Sequence, residues 1–245
     1  TRSYSLTGVQ TCALPIYVYL SRVRFERLRR FGDVYLALAL WKRLRLGEFF
    51  AHNIEPGRED ISWDTMAAIH AIARLCEPSS DVAIAESFFA KTALDDLLGV
   101  PPEKLYDNRL YRALDVMLPH REVLFTHLRD VYGELFGATF DVLLYDITST
   151  YFEGQAEGNH KAKRGYSRDS RPDCEQVAIG LVVTPEQLPL AYEVFDGNRH
   201  DATTLSEMFD LMEERYGRAQ RTWVLDRGFV SEENLAELRR RGALY

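Results

Sequence analysis

Thr139-Phe140-Asp141-Val142-Leu143-Leu144-Tyr145-Asp146-Ile147-Thr148-Ser149-Thr150-Tyr151-Phe152-Glu153-Gly154 is the stretch where the chain changes its period. Upstream, apolar residues recur at helical spacing. Here β-branched and aromatic residues crowd into a short run, the pattern of a strand. We read residues 140–145 as a buried strand that delivers the carboxylate of Asp146 at its end, with the hydroxyls of Thr148, Ser149 and Thr150 following at once. A buried strand that presents an acid at its carboxyl edge is a common way to hold a metal or a catalytic group. An acid that caps a turn is as common. The segment alone leaves both readings open.

Downstream, residues 155–173 are polar and hold Lys161, Lys163, Arg164, Arg168 and Arg171 around Tyr166. Residues 176–184 read as a second strand, 185–189 as a hairpin turn and 190–195 as a third strand. An amphipathic helix follows over 201–216, on Leu205, Met208, Phe209 and Met212. A fourth strand, 221–225, ends in Asp226-Arg227-Gly228. Ser231 then caps a helix with Glu232 and Glu233 in its first turn and Arg239 to Arg241 in its last, matching the helix dipole. Residues 243–245 read as the start of a fifth strand.

The first three strands are joined without helices and are expected to be antiparallel. The fourth follows a helical crossover and is expected to run parallel to the first. Asp146 and Asp226 then emerge at one edge of the sheet, and on neighbouring strands they can share a cation. Two acids with no histidine beside them favour a hard, oxygen-loving ion, Mg2+ or Mn2+.

Upstream, residues 17–138 read as all-helical. Two helices are expected between 17 and 46, broken near Gly32-Asp33, with Gly47 as a stop. Others are expected from Asp60 or Ser62 to Cys76, from about 79 to 98, from 108 to 118, and from Pro119 to 136. Pro78, Gly99 and Pro119 punctuate them. His127 falls on an apolar stripe and reads as a packed core histidine. The arginines at 22, 24, 27, 29, 30, 43 and 45, with Lys42, make the start of this region basic. That face is either solvated or in contact with phosphates.

The chain has 245 residues and a net charge of −7, which argues against a coating of basic residues but not against local basic patches. Cys12, Cys76 and Cys174 form no C-x-x-C pair, so a zinc or disulfide framework is not expected. The six histidines show no H-x-x-x-H spacing. No apolar run is long enough to span a bilayer, so no membrane partner is expected. Residues 7–16 resemble the translation of a common sequencing adapter and lack the core of a secretory signal. We expect residues 1–16 to be non-native and disordered, with the native amino terminus missing.

Four stretches carry a family resemblance: Tyr145-Asp146-Ile147-Thr148-Ser149-Thr150, Val224-Leu225-Asp226-Arg227-Gly228, the segment from Lys163 to Ser167 with Arg171-Pro172-Asp173, and Phe195-Asp196-Gly197-Asn198 with His200-Asp201. Together they resemble the ribonuclease-H-like core of the DDE transposases of bacterial insertion sequences, in the group with a Y-R-E-K box around its third acid. The resemblance covers about residues 105–245. It implies an α+β/α/β fold, with an all-helical, DNA-binding region at 17–138 and a partial ribonuclease-H-like mixed sheet with flanking helices at 139–245. It also implies two-metal cleavage and strand transfer on double-stranded DNA at terminal inverted repeats and a target. Asp146 and Asp226 would be catalytic metal ligands. Lys161, Lys163, Arg164, Arg168, Arg171 and Arg227 would contact DNA.

The resemblance further implies a homodimer in the full-length protein and a bacterial cytoplasmic, nucleoid-associated location. Its third acid belongs on a helix beyond the fifth strand, so the 245 residues are expected to be a truncated transposase, inactive alone. The alternative is a non-catalytic DNA-binding or inhibitory fragment; a further one is a nuclease of the same core unrelated to transposition.

Overall fold

The computed structural model describes residues 19, 22–24, 26, 28–167, 169–217 and 220–245. The expectation for residues 1–16 and the assignment of Arg168 lie outside them.

Helices come first. α1 (Gly32–Arg43), α2 (Leu46–Asn53) and α3 (Trp63–Cys76) are followed by the short α4 (Asp81–Ala83), a π-helical turn (Ile84–Phe88), α5 (Phe89–Lys91) and α6 (Leu94–Leu98). α7 (Asp107–Met117) and α8 (Arg121–Phe136) complete the set. α1 turns Val34, Ala37, Leu38 and Trp41 inward at helical spacing, and α3 offers Met66, Ile69, Ile72 and Ala73. With Phe49, Phe50, Phe88, Phe89, Leu94 and Leu110 they form one apolar cluster.

Three helical expectations need correction. The described residues before Gly32 lie in no α-helix. Arg30 instead bridges in parallel to Thr92, its N–H donating to the Lys91 carbonyl at 3.0 Å and its carbonyl accepting from Ala93 at 2.7 Å. Gly47 does not stop a helix but lies inside α2; the break falls at Arg45, whose φ of 53° is left-handed. The helix expected over 79–98 is interrupted, because Thr92 turns extended to serve that same bridge.

His70 is buried in this cluster, with Nε2 against the Leu110 carbonyl at 3.0 Å and Nδ1 facing Arg74 at 2.5 Å and Asp81 at 3.4 Å. Burial lowers its pKa, and Arg74 lowers it further against the opposing pull of the Leu110 carbonyl and Asp81. The unfolded chain therefore binds a proton near pH 6.5 that the fold refuses. Stability is expected to be full above that pH and to fall as pH drops below it. Urea midpoints at pH 7.5 and 5.5 measure this, and the difference should shrink in His70→Gln.

The sheet follows. β1 (Val142–Phe152), β2 (Glu175–Val183), β3 (Pro189–Asp196) and β4 (Thr222–Leu225) lie in the order β3-β2-β1-β4. β1 pairs antiparallel with β2 and parallel with β4, and β2 pairs antiparallel with β3, as the connections require. Leu244 bridges in parallel to Thr222 just beyond β4, where a fifth strand was expected to begin.

The first strand is longer than its sequence reading. It begins at Val142 and runs through Asp146 to Phe152, because β2 remains paired with it as far as the step Phe152↔Glu175. Leu143, Tyr145, Ile147 and Ser149 point into the core while Asp146, Thr148 and Thr150 point out. That alternation is the strand period of two.

α9 (Leu205–Tyr216) and α10 (Glu232–Arg241) cover the inner face with Leu205, Met208, Phe209, Met212 and Leu238, and α8 adds Tyr132. Gly180 is required there, since a Cβ would come within 2.6 Å of the Tyr145 hydroxyl oxygen. The outer face is open beside Asp146, where Leu181 is 40% and Val224 49% exposed. α8 joins the two clusters: His127 Nε2 meets the Leu44 carbonyl at 2.9 Å and its ring lies 5.0 Å from that of Phe49. Among the described residues no helix is long and apolar enough to cross a membrane.

Candidate functional site

β4 meets β1 in parallel, with Leu144 opposite Val224 and Tyr145 opposite Leu225. The next step on each strand is an aspartate. Adjacent strands stand about 4.8 Å apart, so Asp146 and Asp226 follow one another at neighbouring positions. Both are exposed. Asp226 keeps an extended backbone, φ −74° and ψ 163°, so the alternation that turns Val224 to the open face carries through to it. The correction to β1 changes where Asp146 sits along its strand, mid-strand and not at the end. It leaves the pair together, because it is β4 that ends there.

Each carboxylate is steadied by the backbone. Asp146 Oδ1 accepts from the Ile147 N–H at 2.8 Å. Asp226 Oδ1 accepts from the Arg227 N–H at 2.6 Å, capping a single 3-10 turn, Arg227–Phe229. Each retains a second oxygen. Two exposed carboxylates with hard oxygen donors and no histidine beside them fit a divalent ion of the Mg2+ or Mn2+ type. Among the described residues no group of three Asp, Glu, His or Cys stands in metal-binding array.

The other candidates separate into two kinds. Lys161 is held in place, its Nζ donating to the Val194 carbonyl at 2.5 Å with Glu193 at 3.6 Å. Arg171 is paired with Asp173 at 3.0 Å and lies over the Tyr151 ring. That hydrogen bond pulls Asp173 down to about 2 and raises Arg171. Arg171 and Arg164 line a cavity of about 520 Å³ together with Glu153, Glu157, Asp173 and Glu175. Lys163, Arg164 and Arg227 are exposed. Thr148 is exposed on the face of Asp146, whereas Ser149 is buried on the other.

Glu232 and Glu233 take the helix-start role read from the sequence. Ser231 Oγ accepts from the Asn234 N–H at 3.2 Å, and hydrogen bonds to its own backbone and to Ser231 lower Glu233.

Sequence reasoning missed the segment 200–204. Thr204 is fully buried and accepts the Tyr145 hydroxyl at 2.8 Å. Burial, only partly offset by that bond, pushes the Tyr145 hydroxyl up to about 12. The signal was present in the polar run Asp196-Gly197-Asn198 with His200-Asp201, but nothing in it named Tyr145 as the partner.

Residues 138–245 match the family model described as transposase DDE domain. Among solved structures, the chain is similar to one described as a Mos1 transposase paired-end complex with left transposon end. The identity is 11% and the TM-score 0.31, over 87% of this chain and 67% of that chain. No curated protein matches.

Proposed function

We propose that residues 138–245, which match the family model described as transposase DDE domain, act as such a domain, with Asp146 and Asp226 as two of its metal-holding acids. The observation that carries this is the register: Tyr145 opposite Leu225 brings the two aspartates side by side on adjacent strands. On this reading residues 139–245 are a ribonuclease-H-like catalytic core, and residues 17–138 a helical region that engages DNA. The reaction is cleavage and strand transfer at the terminal inverted repeats of a bacterial insertion sequence. The full-length protein works as a homodimer in the bacterial cytoplasm, at the nucleoid.

Bound Mg2+ or Mn2+ supplies charge stabilisation at the reacting phosphate and activation of the attacking oxygen. The chain's own part is to hold two carboxylate oxygens on the open face of the sheet and to keep them in register. Titration of Mn2+ into the purified chain, followed by the loss of the free-ion EPR signal, tests the assignment. Binding is expected, and it should weaken in Asp146→Asn and in Asp226→Asn. Equal binding by wild type and both variants would sink it.

The same donor count favours the second reading for the 245 residues by themselves. Two carboxylates, with no third ligand grouped beside them among the described residues, suit weak metal binding and DNA binding without cleavage.

Of the basic candidates among the described residues, Lys163, Arg164 and Arg227 are the exposed ones, and we assign the phosphate contacts to them. The double change Lys163→Ala with Arg164→Ala is expected to weaken binding to any duplex. It should also reduce the slope of log K against log[salt] by about 2, near 0.9 per lost contact. Fluorescence anisotropy between 50 and 200 mM salt measures it; an unchanged slope removes these residues from the interface.

A further inference from the structure

Asp146 and Asp226 belong to different segments, and the pairing of their strands stops one step short of them. β4 stays paired with β1 only as far as the step Tyr145↔Leu225. One residue later the chain leaves the ladder for the turn Arg227–Phe229. What ties that turn back to β1 is the short segment 201–204.

Two sets of hydrogen bonds meet there. From β1, Tyr145 donates its hydroxyl to Thr204 Oγ1 at 2.8 Å, and Thr204 Oγ1 donates to the Asp201 carbonyl at 2.7 Å. From α10, Asn234 Nδ2 donates to the Ala202 carbonyl at 2.9 Å and to the Phe229 carbonyl at 2.8 Å. One amide thus joins the 201–204 segment to the end of the Asp226 turn. Asn234 is itself seated by its N–H on Ser231 Oγ. The Phe229 ring lies 4.9 Å from that of Tyr145, and Gly228 lies against the Asp201 carboxylate. The residue before Asp146 and the turn after Asp226 are therefore clamped to one keystone.

We propose that Thr204 and Asn234 are positioning residues for the Asp146–Asp226 pair, setting the gap that a divalent ion must bridge. This rests on the metal-holding role given to the two acids above. Mg2+ demands a near-ideal octahedral arrangement of oxygens at only about 2.0–2.1 Å, and Mn2+ takes octahedral oxygen sites of the same kind. A clamp that lets one carboxylate drift is expected to cost affinity even though neither Thr204 nor Asn234 touches the ion.

The test is Mn2+ affinity of the folded chain at a temperature well below its melting point. Thr204→Val keeps the volume and removes the hydroxyl, and is expected to weaken Mn2+ binding about tenfold, the lower end for groups that orient ligands. Thr204→Ser restores the hydroxyl and should return affinity to within about twofold of wild type. Asn234→Asp, which cannot donate to the two carbonyls, should behave like Thr204→Val. Ile72→Val, buried in the helical cluster far from the clamp, should lower the melting temperature and leave Mn2+ affinity unchanged.

If Thr204→Val does not fold, Tyr145→Phe breaks the same bond from its other end. Wild-type affinity in folded Thr204→Val or Tyr145→Phe, or failure of Thr204→Ser to rescue, overturns the clamp alone. No Mn2+ binding by the wild type, or undiminished binding by Asp146→Asn, overturns the metal site and the clamp with it.

Discussion

Gly197→Ala is expected to destabilise the sheet region by about 3 kcal/mol or more, the upper end of the range for overpacking. At roughly 2–4 °C per kcal/mol for a chain of this size, the melting temperature should fall by about 6–12 °C. A Cβ on Gly197 would lie 1.9 Å from the Gln176 carbonyl oxygen and 2.6 Å from that of Lys163. Both are backbone atoms held in a mutual bridge, Lys163 N–H to Gln176 O at 3.0 Å and Gln176 N–H to Lys163 O at 3.1 Å. Neither can swing aside as a side chain would. Gln176 also donates from Nε2 to the Gly197 carbonyl at 2.8 Å, so displacing residue 197 strips a fully buried amide of a partner.

Gly154→Ala is the control, because nothing lies within 4 Å of the Cβ it would add. Differential scanning calorimetry of the two variants decides the matter. A Gly197→Ala melting point within 2 °C of Gly154→Ala, on the same roughly 2–4 °C per kcal/mol scale, would mean the bridge yields more readily than its hydrogen bonds imply.

Gly197 illustrates what was and was not legible. As a sequence feature it marks the end of a strand, and so it does: β3 ends at Asp196. Its closeness to Gln176 and Lys163 follows from a crossing of segments that no local pattern records. The same division runs through the fold. β2, β3 and β4 were readable because buried strands concentrate Val, Ile and Leu between turn residues, a signal local to each strand. β1 was cut short because Asp146, Thr148 and Thr150 read as the start of a loop. Their place in a strand depends on the partner β2, which lies more than 20 residues away, Thr150 pairing with Val177.

In the helical region, the break at Thr92 was hidden for the same reason, since its cause is a bridge to Arg30. The pairing of Asp146 with Asp226 was legible from topology alone, because a crossover helix makes β4 parallel to β1. The keystone at Thr204 was not, because a threonine three residues after the start of an amphipathic stretch announces nothing about a tyrosine hydroxyl on a distant strand.

Asp226→Asn and Asp146→Asn are each expected to weaken Mn2+ binding at least about tenfold, or about 1.4 kcal/mol. They should not lower the stability of the metal-free chain. Asn preserves the oxygen that accepts from Arg227 N–H at 2.6 Å or from Ile147 N–H at 2.8 Å, so the local hydrogen bond survives. What is lost is charge, and affinity at oxygen sites follows the number of charged ligands. Without metal, two like charges on adjacent strands repel across the sheet, so removing one leaves the fold unchanged or slightly more stable. With metal the order reverses. At 10 mM Mn2+ and a Kd near 1 mM, both order-of-magnitude choices for a weak oxygen site, the wild type should gain about 1.4 kcal/mol and roughly 3–6 °C. Either variant should gain little. Melting curves with and without Mn2+ therefore separate a metal site from a structural acid pair. A structural pair would give variants that melt lower in EDTA and a wild type indifferent to Mn2+. A metal site gives curves that cross, and that crossing ties the register of β1 and β4 to what the two aspartates are for.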